Sequence, residues 1–215
     1  MVHVLITGGA RGIGRALCEA ALARGWQVSC TLRQGEPPPR VTGYRLEMVG
    51  LAGLADLAAD IGPIDILIHN AGIIGPKAGP LGDLNPDDFA RVMQVNAFAP
   101  LAITRALLPQ MQAGGRVLAI SSQMAWMGYA KSDSIAYRMS KVALNKGVQA
   151  MATDLAPRGM IAVAIDPGWV RTDMGGAEAD RDPAAAGAEI IALADRLTPG
   201  QNGRFLKSDG TERDW

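Results

Sequence analysis

The stretch VHVLITGGARGIG, residues 2–14, converts a strand into a helix across a turn able to hold a phosphate group. Val2 to Ile6 is a short β-branched and apolar run of the kind buried in a parallel sheet, and Thr7-Gly8-Gly9 breaks it at once. Ile13, Ala16, Leu17 and Ala20 then recur at helical spacing until Gly25 supplies a C-terminal stop. Glycines at 8, 12 and 14 let the backbone approach a pyrophosphate, whose charge the free N–H groups and positive end of the helix favour. A ligand-free βα turn would use the same glycines, so the rest of the chain has to decide between the two.

Working outward, strands are expected at Trp26–Thr31, Val41–Leu46, Ile64–His69, Arg116–Ser121, Met160–Ile165 and Gly203–Lys207. Between them lie a short helix over Leu51–Asp60, two long helices over Asn85 to about Met111 and Ser134–Leu155, and a further helix over Asp182 to about Leu197. Asn85 is a good N-cap with Pro86 at the first helical position, and Gly114-Gly115 is expected to end that helix. Strands alternating with helices imply an α/β, doubly wound parallel sheet with helices on both faces, its ligands at the carboxyl ends of the strands. A chain of 215 residues, 48% apolar and 20% charged, fits one domain over residues 1–215.

Composition excludes several classes of function. Lys plus Arg equals Asp plus Glu at 21 each, so neither a nucleic-acid stripe nor a membrane surface is expected as partner. No apolar run reaches the roughly 18 residues of a membrane helix, and the first strand begins at residue 2 without room for a signal peptide, so the expected location is cytoplasmic. Cys18 and Cys30 read as small buried hydrophobes. With His3 and His69 the only histidines, no ligand cluster for a metal is expected.

Tyr137 and Lys141, four apart in a helix, project from one face about a turn apart. A phenol titrates near 10, so to exchange protons near neutrality it must be lowered by about 3 units, about 4 kcal/mol. One ammonium about 4 Å away supplies roughly that much only at an effective dielectric near 20, in a partly dry cleft. Ser122, after a strand end, is placed to hydrogen-bond a carbonyl oxygen, and it is preferred to Ser121 because neighbouring strand residues face opposite ways. Asn96 falls in the neighbouring long helix. Pro100 leaves the Asn96 carbonyl without its helical partner, so a bend is expected there, with that carbonyl holding a water toward Lys141.

TGGARGIG, Asn70-Ala71-Gly72, Asn96, Ser121-Ser122, Tyr137-x-x-x-Lys141 and Pro167-Gly168 occur in the order, and over nearly the whole length, of the classical short-chain dehydrogenase/reductase family, which the chain resembles. AYRMSKVALN at 136–145, PGWVRTDMGG at 167–176 and the closing SDGTERDW resemble the branch that includes C-factor and the sniffer-type carbonyl reductases. The resemblance implies a Rossmann-type fold and an oxidoreductase moving hydride between a nicotinamide cofactor and a carbonyl or alcohol. It implies Tyr137 as general acid or base, Lys141 lowering its pKa and holding the ribose, Ser122 orienting the carbonyl and Asn96 supporting a relay through water. It extends cofactor contacts to Gly8, Arg11, Gly12, Ile13, Gly14, Asn70, Ala71, Gly72, Pro167, Gly168, Val170 and Thr172. One departure stands: the gap from Ser122 to Tyr137 is about two residues longer than is usual in the family.

Arg33 follows the second strand where an acid would bind a ribose 2′-hydroxyl, and Arg11 lies in the glycine turn, so NADP(H) is expected over NAD(H). Met124, Trp126, Met127, Tyr129 and Trp169 hint at a small apolar carbonyl substrate, though core packing explains them equally. The two long helices are a possible homo-oligomer face. A non-catalytic NADP-binding regulator of the C-factor type is the alternative, against which the intact Ser-Tyr-Lys-Asn set argues. An epimerase or dehydratase using the same Tyr and Lys is disfavoured by the glycine spacing.

Overall fold

The computed structural model describes residues 1–77 and 85–215. Its first strand, β1 (His3–Thr7), is buried at every residue, and the glycine turn leads into α1 (Gly12–Ala23). Because strand side chains alternate, Val4 and Ile6 join one hydrophobic cluster and Leu5 joins the other. β2 (Gln27–Leu32) and β3 (Thr42–Arg45) extend the sheet on one side of β1. After α2 (Leu54–Asp60) the chain crosses to β4 (Ile64–His69), which pairs with the opposite edge of β1.

Asn85 caps α3 (Pro86–Met93) as expected, its side-chain oxygen accepting from the Asp87 and Asp88 N–H groups at 2.8 and 3.2 Å. The expected continuous helix to Met111 does not form. α3 passes into a wide turn, Gln94–Phe98, in which the Ala99 N–H donates to the carbonyl of Gln94, and α4 (Ala99–Leu107) then ends four residues early. Pro100 accounts for the wide turn: its ring crowds the preceding turn, and one extra residue in the loop of the helix relieves that crowding.

β5 runs from Met111 to Ile120 and starts five residues before the expected Arg116. Ile64 pairs with Met111 but Ile66 with Arg116, so the intervening residues bulge out. Gly114, at φ +74, supplies the left-handed backbone that the bulge needs. The Gly114-Gly115 pair therefore marks an interruption within a strand, not the end of a helix.

α5 (Ile135–Leu155), β6 (Ile161–Asp166), α6 (Pro183–Arg196) and β7 (Phe205–Lys207) complete a seven-stranded, all-parallel sheet of order β3-β2-β1-β4-β5-β6-β7. This is the doubly wound Rossmann order with a seventh strand added. α1 and α6 cover one face. α2, α4 and α5 cover the other. α6 comes close to α1 because position 187 is glycine, where a Cβ would lie 2.7 Å from the Ala16 backbone. Cys18 and Cys30 are free thiols buried beneath the glycine turn, where a side chain on Gly9 would collide with both. Among the described residues no helix is long and apolar enough to cross a membrane.

Candidate active site

Strand order reverses at β1 and β4, so the segments leaving their carboxyl ends diverge and open a crevice between them. Asn70, the residue after β4, spans it: its side-chain amide donates to the carbonyls of Thr7 and Gly8 at 3.0 and 3.1 Å. Thr7 returns the bond, its hydroxyl oxygen accepting from the N–H groups of Asn70 and Ala71. The Gly8 and Gly9 N–H groups donate to the Thr31 carbonyl, which ties the turn to β2. Gly8 and Gly12 hold left-handed backbone at φ +73 and +54, and a Cβ at Gly14 would lie 2.0 Å from the Gly8 carbonyl oxygen.

α1 begins here without a side-chain cap or an acidic residue in its first turn, so its leading N–H groups face the crevice as open donors. A tight glycine turn beside uncapped helix donors fits the pyrophosphate of a dinucleotide. The crevice continues into a cleft of about 1090 Å³, slightly above the roughly 300–1,000 Å³ typical of small-molecule sites. Such room suits a dinucleotide and a substrate together.

Nearly all the sequence-derived candidates line this one cleft. Gly8 and Arg11 to Gly14 form its floor, Arg33 stands at the end of β2, and Asn70, Ala71 and Gly72 at the end of β4. Ser122 follows β5, Tyr137 and Lys141 come from α5, and Pro167, Gly168, Val170 and Thr172 follow β6. Asn96 sits behind the lining, 1% exposed. Its side chain is fully committed, with Oδ1 accepting from the Ile73 N–H at 2.9 Å and Nδ2 donating to the Ile73 carbonyl and the Ser140 hydroxyl at 2.8 and 2.9 Å. Its main-chain carbonyl lies in the wide turn, four residues before Pro100, which has no N–H to offer it.

The serines separate cleanly. Ser121 is buried and donates to Asn145 Oδ1 at 2.6 Å, whereas Ser122 lines the cleft with Tyr137, its hydroxyl oxygen accepting from the Met124 N–H at 3.1 Å. Tyr137 and Lys141 are both buried, with the Lys141 ammonium 5.5 Å from the centre of the tyrosine ring and donating to the Ile120 carbonyl at 2.7 Å. A Cβ at Gly72 would sit tightly, 3.3 Å, against Asn96 Oδ1 and in ordinary contact, 3.7 Å, with that ammonium. Burial pulls Lys141 down to about 8. Burial pushes the Tyr137 phenol up to about 12, against the Ser122 hydrogen bond and with a further upward push from the Asp166 charge. The expected lowering of the phenol by Lys141 is thus reversed here, because desolvation of the phenolate outweighs its single hydrogen bond.

Arg33 is exposed, and no carboxylate among the described residues pairs with it. Arg11 instead reaches across the cleft to Asp173 at 2.8 Å, an ion pair with both side chains about four-fifths exposed and hence weak. Of the five residues that hinted at an apolar substrate, Met124 and Trp169 line the cleft. Trp126 lies under the Arg213 guanidinium, 5.7 Å from its ring centre, and Tyr129 stacks with Arg138 at 5.1 Å. Met127 is 74% exposed.

Sequence reading missed Arg138. It is buried beside Tyr137 and holds the lengthened loop after Ser122 through Asp133 Oδ1 at 2.7 Å and the Asp133 carbonyl at 2.8 Å. Its place next to Tyr137 on the helix that carries the site was the available signal. It also missed Asp166, Asp173 and Arg213, whose partners are remote in sequence.

His69, which ends β4, is buried with Nε2 2.7 Å from the Thr104 hydroxyl and no partner at Nδ1 among the described residues. Burial lowers it to about 3, so it is neutral when folded and takes up a proton near 6.5 only when unfolded. Its contribution is therefore complete above 6.5 and is lost as pH falls toward 3. Between pH 7 and 5 this one group removes about 2 kcal/mol. Urea unfolding at the two pH values measures it: His69→Phe should show a difference smaller by about that amount, and an equal pH dependence in variant and parent would contradict it.

A family model described as enoyl-(acyl carrier protein) reductase matches residues 51–204. The C-signal protein of Myxococcus xanthus is 42% identical over 158 residues, covering 72% of this chain and 94% of its own. A short chain dehydrogenase of Pseudocercospora fijiensis is 32% identical over 191 residues, 80% of this chain and 60% of its own. Among solved structures, the carbonyl reductase Sniffer of D. melanogaster superposes with a TM-score of 0.93 at 28% identity, over the whole of both chains. A carbonyl reductase from Pseudomonas aeruginosa PAO1 in complex with NADP does so at 0.89 and 31% identity, again over both whole chains.

Proposed function

Since the chain belongs to the short-chain dehydrogenase/reductase family of oxidoreductases, we propose that it reduces small, apolar carbonyl compounds with NADPH. The observation that carries this reading is the convergence of Tyr137, Lys141 and Ser122 in the cleft that the glycine turn opens. When bound, the nicotinamide supplies the hydride. The glycine turn and the first N–H groups of α1 hold the pyrophosphate, and Lys141 and the segment Pro167–Thr172 hold the nicotinamide half.

Ser122 donates a hydrogen bond to the substrate oxygen as negative charge grows there. Tyr137, whose buried phenol keeps its proton well above neutrality, gives that proton to the oxygen, and a proton donor suits reduction rather than oxidation. Lys141, still mostly an ammonium at neutrality with its value lowered to about 8, gives a proton to the phenolate and regains one through a water on the Asn96 carbonyl. Met124 and Trp169 favour an apolar group on the carbonyl. A homo-oligomer through the long helices is consistent with Phe98 and Met139, about half exposed there.

A panel of aldehydes, ketones and quinones assayed with NADPH tests the reading. Turnover of at least one class, saturable in both reactants, is expected, and NADPH binding without turnover of any would return the regulator reading. The P. aeruginosa neighbour is a complex with NADP, and Arg33, with no carboxylate partner among the described residues, supports a preference for the 2′-phosphate. Arg33→Ala should therefore weaken NADPH by about tenfold to a hundredfold, as expected for loss of a charge-assisted hydrogen bond, and leave NADH within about twofold. Equal losses for the two cofactors, read by fluorescence titration, would refute the 2′-phosphate role.

A further inference from the structure

Asp166 ends β6 immediately before Pro167-Gly168, and the proposed reaction makes no use of it. Its carboxylate is 2% exposed. One oxygen, Oδ1, accepts two backbone N–H groups: that of Gln123 at 3.0 Å, next to Ser122 in the segment after β5, and that of Gly168 at 2.9 Å, in the turn after β6. A single atom therefore ties together the two strand-end segments that flank the reacting end of the cleft. The other oxygen, Oδ2, lies 2.7 Å from Arg213 Nε. That N–H is aimed off the oxygen, which makes the contact an ion pair more than a hydrogen bond.

Arg213 belongs to the segment that folds back against the ends of β6 and β7. The Ser208 N–H donates to the Asp166 carbonyl at 3.1 Å, and the Arg213 N–H to the Phe205 carbonyl at 2.8 Å. The Arg213 guanidinium also covers the Trp126 ring, in the loop that follows Ser122. A buried carboxylate needs its oxygens satisfied and a counter-charge at hand, and here the two N–H groups come from segments that line the cleft while the counter-charge comes from the chain after β7.

We propose that Asp166, with Arg213 as counter-ion, is a positioning residue that fixes the Ser122 segment against the Pro167-Gly168 turn, so that the chain after β7 sets the geometry of carbonyl binding. The catalytic consequence rests on the reductase reading above; the clamp itself does not. A clamp that loosens displaces Ser122 relative to Tyr137, and an ångström of misplacement at a reacting centre costs on the order of a hundredfold in rate.

The test combines hydrogen–deuterium exchange over residues 121–126 and 167–172 with steady-state kinetics for Asp166→Ala, Asp166→Asn, Arg213→Met and Arg213→Lys. Asp166→Ala should speed exchange in both segments together by about tenfold or more and lower kcat by about ten- to a hundredfold, a larger change than in KM for NADPH, whose pyrophosphate cradle lies outside both segments. Asp166→Asn keeps an oxygen for the two N–H groups and should recover most of both losses. Arg213→Met should loosen the same two segments, and Arg213→Lys should restore them.

Unchanged exchange in either segment of Asp166→Ala, or an asparagine no better than alanine, overturns the proposal. Should Asp166→Ala fail to fold, Asp166→Asn and Arg213→Met decide it, because unchanged exchange in Arg213→Met with parental kcat is equally fatal. If the parent reduces no carbonyl, the reductase reading fails, and exchange alone still tests the clamp.

Discussion

Tyr137→Phe abolishes reduction, with kcat falling by about a thousandfold or more, while the dissociation constant for NADPH stays within about threefold; positioned proton transfer contributes roughly 10²–10⁴ in rate. The substitution removes one oxygen from a ring that is 8% exposed, so the packing of α5 against the wide turn and β6 is preserved. What disappears is the proton donor beside Ser122. Single-turnover absorbance at the NADPH band separates the two effects, since binding persists and oxidation of the cofactor does not. Ordinary turnover by the variant on the best parental substrate would remove Tyr137 from the mechanism.

Gly14→Ala destroys the cofactor cradle. The added methyl would lie 2.0 Å from the Gly8 carbonyl oxygen and 2.5 Å from Asn70 Nδ2, and neither is the free end of a flexible chain. To make room the turn must separate from Asn70, breaking the bonds that hold β1 to β4 at their carboxyl ends. Overpacking of about 1–3 kcal/mol is expected, which lowers the melting temperature of a chain this long by roughly 2–10 °C. NADPH affinity should fall by about a hundredfold, because several N–H donors move together. Gly25→Ala is the contrast: its Cβ would meet nothing within 4 Å, and its φ of +75 costs only about 1 kcal/mol of backbone strain, with NADPH affinity intact. Parental affinity in Gly14→Ala, measured by titration calorimetry, would show that the cradle is not where the cofactor lies.

Local signals carried much of this arrangement. The strand, turn and helix of residues 2–14, the bounds of β4 and the Asn85 cap follow from short-range rules of propensity and capping. The same rules misread Gly114-Gly115, because a left-handed glycine serves a helix end and a strand bulge alike, and only the pairing with β4 distinguishes them. Tyr137 and Lys141 were legible as a pair because they are four apart on one helix. Their pKa values were not, because burial depends on the elements that close over the helix. Asp166 and Arg213 were illegible for the same reason: each is an ordinary charged residue until the sheet brings β6 and the returning chain together. Arg11 was read as a phosphate ligand and is found paired with Asp173, which nothing near either residue foretells.

The bridging position of Asn70 also bears on the order in which the molecule assembles in time. β1 pairs with β2 across a short span, but its other edge must wait for β4, and the bond from the Asn70 N–H to Thr7 spans 63 residues. Closing so long a loop is slow and is offset only once the parallel strands have registered. The β4 wall of the phosphate cradle is therefore the late arrival, joined after the β1–α1–β2 unit has formed. A nascent chain that has emerged only as far as α2 presents the glycine sequence without the cradle, so cofactor can stabilise the protein only after β4 has been made and docked.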